Sequence, residues 1–262
     1  MRLAAAFLLC AFSVSGARAV NLKPETVQAF ERYIRDTEAL LEQRTLPAGK
    51  FLWVDEEPQR AAQVRQGQVA IRNRGVQDTL AVPGGLIHDW IGAVFIPGVT
   101  LEKTLALIQD YDRNQDNYKP EVLASRLVSR SGNDFKVYMR LMKQRVIVVI
   151  LDTDYDVRYF PLGSGRCHSR AHSTRIAQVE NAGKRGERIL PPGKDDGFLW
   201  RLYSYWRFQE RDGGVYVECE AISLTRGIPA GLGWLIEPII TTLPRESLAN
   251  TLRETRAAML GK

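Results

Sequence analysis

The chain has 262 residues, 45% of them hydrophobic, with 36 basic against 30 acidic side chains and a net charge of +6. The charges are interspersed without runs, so the concentrated cationic footprint of a nucleic-acid binder is missing, while length and apolar share suffice for a sizeable core. Three cysteines are too few for a disulfide scaffold.

Residues 1–19 have the layout of a secretory signal: Arg2, an apolar run from Leu3 to Val14, then Ala17-Arg18-Ala19 as a small-residue cleavage site. The run is too short to span a bilayer, and no transmembrane segment is expected in the mature chain. Lipidation at Cys10 is rejected, because Leu9 stands where a small residue is needed and cleavage there would cut the apolar run. Processing removes Arg2 and Arg18 and lowers the charge from +6 to +4. A secreted, periplasmic protein is the expectation, and in that compartment Cys167 and Cys219 are able to oxidise; whether they pair is left open.

Residues 20–85 form an N-terminal extension. Pro24 suits the start of a helix over 21–44 with Val27, Phe30, Ile34 and Leu41 near one face. Phe51–Val54 and the sparse apolar points Val64, Val69 and Ile71 suggest short strands. After Pro83-Gly84-Gly85 a strand runs to Ile96, closed by Pro97-Gly98, and Thr100 caps a helix carrying Leu101, Leu105 and Ile108. Strands follow to Arg226. Leu123, Ser125, Leu127 and Ser129 alternate with Arg126 and Arg130, and a turn at Ser131-Gly132-Asn133 leads to Phe135–Leu141. Val146–Leu151 is continuously apolar, and Tyr155, Val157 and Tyr159 continue it by alternation. Three more strands cover 167–179, 198–209 and 215–225. The second offers Trp200, Leu202, Trp206 and Phe208 to one face, and in the third Glu218 and Glu220 can meet Arg201 or Arg207 across strands.

Gly231–Met259 is an amphipathic helix: Leu232, Leu235, Ile236, Ile239, Ile240 and Leu243 recur at helical spacing, and Leu248, Leu252 and Met259 continue the stripe. Pro238 and Pro244 predict kinks. So apolar a helix needs a broad partner, and the strands before it supply one.

This order, with the segments FLWRLYSYWRF (198–208), VYVECEAISLTR (215–226), GLGWLIEP (231–238) and LPRESL (243–248), resembles the START-like family of the SRPBCC superfamily over residues 86–262. The resemblance implies an α+β helix-grip fold, a seven-stranded curved antiparallel sheet wrapped around the long C-terminal helix, with an apolar cavity between them. It also implies lipid-like or other apolar ligands, and some members are cyclases. No catalytic motif of the family is matched.

His88, Trp90, Tyr155, Trp206 and Trp234 are the candidate ligand-binding residues, being large amphipathic groups placed near the sheet–helix space; ordinary core packing is the alternative for each. His168 and His172 have the spacing of helical metal ligands, but in a strand four residues at about 3.3 Å each hold them roughly 13 Å apart, so no metal site is expected. No cofactor is expected either. Cys219 sits between Glu218 and Glu220, which disfavour a thiolate, and reads as a small buried residue. The leading expectation is binding or transport of an apolar small molecule, with contact to a membrane surface as a further possibility. A cyclase- or hydrolase-type enzyme using His88, Tyr155 or Asp89, and an envelope interaction module contacting partners through the 21–44 helix, are the alternatives.

Overall fold

The computed structural model describes residues 22–75, 78–144, 148–227 and 233–261, with the backbone alone for 233–241. The signal-like segment, Cys10, Val146 and the side chain of Trp234 lie outside the described residues. In chain order the elements are helix α1 (Pro24–Gln43), a 3-10 turn at Trp53–Glu56, α2 (Pro58–Arg65), and strands β1 (Ala70–Asn73), β2 (Leu80–Val82) and β3 (Gly85–Pro97). Helices α3 (Leu101–Ile108) and α4 (Asn114–Asn117) follow, then β4 (Val122–Ser131), β5 (Asp134–Gln144), β6 (Val148–Gly163), β7 (Arg166–Glu180), β8 (Arg188–Ile189), β9 (Arg201–Arg211), β10 (Gly214–Arg226) and α5 (Gly233–Met259).

The strands form one curved antiparallel sheet in the order β1-β3-β10-β9-β7-β6-β5-β4, with β2 also on β3 and β8 on β7. Seven of them are long, as the alternation predicts; the short β1, β2 and β8 make the total ten. Pairing in register places alternate side chains on opposite faces. On β10, Val217, Cys219 and Ala221 point to the inner face, and Tyr216, Glu218, Glu220, Ile222 and Leu224 to the outer one. The β9–β10 hairpin turns on Asp212 and Gly213, both with positive φ, 57° and 76°, as a two-residue hairpin requires.

α5 runs as one helix through both Pro238 and Pro244 and lies against the inner face. Leu252, fully buried, meets β3 where Gly92 leaves room: a Cβ there would come within 2.7 Å of Leu252 Cδ1. A neighbouring tie is Arg256 Nε, which donates to the Phe95 carbonyl at 3.2 Å.

The outer face of β3, β10 and β9 is covered by the extension. Phe30, Ile34 and Leu41 of α1 pack with Ile87, Trp200, Tyr205, Ile222 and Leu224, and Phe51–Val54 with Val64 pack on Ile91, Phe95 and Tyr216. These segments are a 3-10 turn and a helix instead of the expected short strands, because Pro58 favours the first turn of a helix. Toward β4 the outer face is solvated and laced by cross-strand ion pairs, such as Lys136–Asp156 at 2.9 Å and Arg140–Asp152 at 2.7 Å. Two local expectations change. A bulge between Val122 and Ala124 turns Leu123 out to 44% exposure, away from Leu127. Trp200 precedes β9 and packs with α1 on the outer face, opposite to Leu202.

Candidate functional site

Between the sheet and α5 lies a cavity of about 320 Å³. Its walls come from β5, β6, β7, β9 and β10 on one side, from the segment around α4, and from α5 residues Leu243 to Thr251 on the other. Most of the lining is aliphatic or aromatic: Leu141, Leu151, Val157, Leu202 and Trp206 are representative. The alternation of β9 and β10 produces this surface, since the inward set on both strands is apolar or small, with Ser204, Ala221 and Ser223 among the small members.

The polar groups of the lining are mostly paired with each other. Tyr111 and Tyr159 share a 2.8 Å hydrogen bond between hydroxyls, and Tyr118 meets Thr255 Oγ1 at 3.1 Å. Burial pushes Tyr118 and Tyr155 up to about 12, so both stay as neutral phenols. Cys219 lines the cavity as a neutral thiol, raised by burial and then by Glu220 and Glu218. It is free, as is Cys167, and β9 stands between their strands, which leaves no route to a disulfide in this arrangement.

Among the described lining residues, charge enters at one place. Glu121 and Lys143 are an ion pair in the wall, and Ser247 of α5 joins them: Lys143 Nζ donates to Ser247 Oγ at 2.6 Å, and Ser247 Oγ donates to Glu121 Oε2 at 2.7 Å. Asn250 Nδ2 adds a 3.0 Å bond to Glu121 Oε1. Burial pushes the Glu121 carboxyl up, but Lys143, Ser247 and Asn250 together hold it below the ordinary glutamate range. This network fastens α5 to the start of β4 and the end of β5.

Of the candidate residues, Tyr155 and Trp206 line the cavity together. His88 and Trp90 share the inner face of β3 but stand outside the lining, because α5 packs directly on β3 and closes that space. His88 is fully buried one position behind the wall, its Nε2 3.0 Å from Oγ1 of Thr225, which does line it. Burial lowers its pKa to about 4, so the ring is neutral, and its Nδ1 has no partner to orient it. Asp89 faces the opposite side of the sheet, accepting from Tyr33 Oη at 2.7 Å. No base with an orienting partner therefore converges with a nucleophile among the described lining residues. His168 and His172 lie on the outer face; His172 is exposed, and His168 is half-buried and stacked on Phe160.

Glu121, Lys143 and Ser247 went unremarked in the sequence. The usable signal was the i, i+4 series Ser247, Thr251 and Thr255, a polar stripe beside the apolar one on α5. Two of its hydroxyls bond back within the helix, Thr251 to Ser247 O and Thr255 to Thr251 O.

No family model and no curated protein sequence matches the chain. Among solved structures it is similar to a STAR-related lipid transfer protein from Xanthomonas axonopodis, at 17% identity and a TM-score of 0.47, over 73% of this chain and 98% of that one. Human STARD10 gives 11% identity and 0.44 over 77% and 80%. The Zhui aromatase/cyclase from Streptomyces gives 8% and 0.45 over 66% and 94%. The sheet order and the position of α5 are consistent with the helix-grip fold, and the similar solved structures include lipid-transfer and aromatase/cyclase proteins.

Proposed function

We propose that this protein binds and carries an apolar small molecule, lipid-like in character, in the cavity between the sheet and α5. The observation that carries the reading is the combination of about 320 Å³ of interior space with a lining that is mostly aliphatic and aromatic. Apolar ligand surface removed from water contributes about 25 cal/mol per Å² before ordering costs, and most of the described lining is apolar. Carriage is favoured over turnover by the neutral phenols, the raised thiol and the position of the neutral His88 outside the lining.

We also propose that the chain is exported and acts in the periplasm, on the strength of the Arg2–Ala19 pattern. Among the described residues no helix is long and apolar enough to cross a membrane.

Native purification from the exporting cell, organic extraction and mass spectrometry test the binding reading. One dominant apolar species at near-stoichiometric yield is expected. Absence of any extractable ligand, together with failure to load fluorescent fatty acids or polycyclic probes, would overturn it. Intact mass of the exported protein, expected to begin at Val20, tests the localisation.

A further inference from the structure

The cavity has two unlike ends. Along β6 its inner wall runs from Tyr159 to Val149. At the Val149 end the neighbours are Leu141, Leu151, Phe198 and Leu199. Lys143, paired in register with Val149, and its partner Glu121 are partly exposed there, at 23% and 21%. The Tyr159 end is closed: Tyr111, Tyr159 and Ser169 are 6%, 3% and 2% exposed.

Uncharged hydroxyls collect toward the closed end. Tyr111 and Tyr159 hold two hydroxyl hydrogens and share one hydrogen bond, so one O–H is left to give. On the floor of the cavity, strand pairing sets Ser169 opposite Tyr159, Ser204 opposite Ala171 and Ala221, and Ser223 opposite Leu202. The three serines therefore descend as a diagonal across β7, β9 and β10, with successive members about 7–8 Å apart. All three line the cavity, Ser223 being 6% exposed, and among the described residues none of their hydroxyls has a hydrogen-bond partner. Asn114, from the segment that carries Tyr111, adds a buried Oδ1 without a partner. Serine hydroxyls both donate and accept, so this floor matches hydroxyl, ester or keto oxygens. It does not match an ion. Among the described lining residues the one cation, Lys143, stands at the other end and is spent on Glu121 and Ser247, so a carboxylate or phosphate carried to the closed end would lose its water and gain no counter-ion.

Resting on the carriage reading above, we infer that the ligand is a lipid with an uncharged, multiply oxygenated head, of acylglycerol type, and that it lies head first in the cavity. Its head oxygens meet Ser169, Ser204, Ser223 and the Tyr111–Tyr159 pair, and its hydrocarbon chain runs toward Val149 and the Glu121–Lys143–Ser247 network. Ser204 and Ser223 distinguish such a ligand from a plain hydrocarbon. The neutral surroundings of the closed end distinguish it from a fatty acid or a phospholipid.

Displacement of the neutral fluorophore N-phenylnaphthylamine from the full processed chain by monomyristoylglycerol, tetradecene and myristate tests this. Monomyristoylglycerol is expected to act at about tenfold lower concentration than either of the others. Combining Ser204→Ala with Ser223→Ala should shrink its advantage over tetradecene to about twofold. A crystal of the wild-type complex should place glycerol oxygens within hydrogen-bond reach of Ser204 or Ser223; neither that crystal nor the order of the three displacers depends on a variant folding. Tetradecene or myristate acting as well as the monoglyceride, an advantage kept in full by the double variant, or a glycerol head lying at Glu121 and Lys143 would each overturn the inference while leaving carriage intact. Failure of the fluorophore and of every displacer to enter would overturn both.

Discussion

Arg44, one residue past the end of α1, donates from Nη2 to Glu218 Oε1 at 2.8 Å in the middle of β10, across 174 positions of sequence. Both are buried, and the carboxylate also accepts from the Trp53 backbone. One side chain of the sheet therefore holds two segments of the extension.

Removing one partner strands the other in a place without water. Arg44→Ala is expected to cost about 3–5 kcal/mol, the range for breaking a buried pair from one side, with Glu218→Gln costing less because its amide still accepts from Trp53. Urea denaturation of the two variants checks the order; equal, small losses would show that the pair is solvated.

Glu220, which faces Asp89, governs the response to pH above neutrality. Burial pushes Asp89 up to about 6, and burial with the facing Asp89 pushes Glu220 up to about 8. A carboxyl whose folded pKa is raised contributes stability that is complete below its unfolded pKa and is lost as pH rises to the folded one. The buried histidines act oppositely: His88 and His168, both lowered to about 4, lose stability as pH falls from about 6.5. Stability should therefore fall by about 2 kcal/mol between pH 6.5 and 8, and Glu220→Gln should flatten that slope. A wild-type profile that is level over this interval would contradict the assignment.

Ala221 lines the cavity from the middle of β10. Ala221→Phe fills space that a ligand needs, so loading of an apolar probe should drop more than about tenfold, a loss of at least 1.4 kcal/mol, with the far-UV spectrum unchanged. Undiminished loading would place the ligand elsewhere.

Gly92 and Leu252 form a size pair. Gly92→Ala drives a methyl against Leu252 Cδ1 and the Ala70 carbonyl and should cost about 1–3 kcal/mol. Leu252→Ala alone should cost about 2–5 kcal/mol. The double variant should lose less than the sum of the two single losses, measurable as a thermodynamic cycle.

The Glu121–Lys143–Ser247 network holds α5 over the cavity. Lys143→Met should leave equilibrium stability within about 1 kcal/mol, since the pair is partly exposed, yet speed probe release in stopped-flow displacement. Unchanged release rates would show that the ligand leaves by another route.

The strand succession and the Leu248–Leu252 part of the α5 stripe were legible because period-2 and period-3.6 patterns survive wherever one face is buried. Tyr155 and Trp206 reach the cavity wall by the same alternation. His88 and Trp90 show the limit: they share the inward parity of β3, but parity does not say where α5 touches the sheet, and that contact depends on Gly92, a residue without a side chain. The outer layer was hidden for a different reason. Asp89, Arg207, Glu218 and Glu220 carry the charges that ordinarily mark a solvated face, and only the fold reveals that α1 and its neighbours cover them. Leu123 was misplaced by a bulge, which reverses parity without a compositional mark.

β9 and β10 are the strands that serve both layers, one set of alternate residues walling the cavity and the other meeting the extension. Deleting a single residue early in β9 would swing Arg207 inward, and one early in β10 would swing Glu218 and Glu220 inward and Ala221 and Ser223 outward, so either deletion disturbs both layers at once. The same deletion in the outer reaches of β5 or β6 would exchange Phe135, Val137 or Val157 with their charged neighbours but leave the extension untouched. Length variation among natural versions of this chain should accordingly collect in the 181–197 connection and at hairpin tips, and be missing from β9 (Arg201–Arg211) and β10 (Gly214–Arg226).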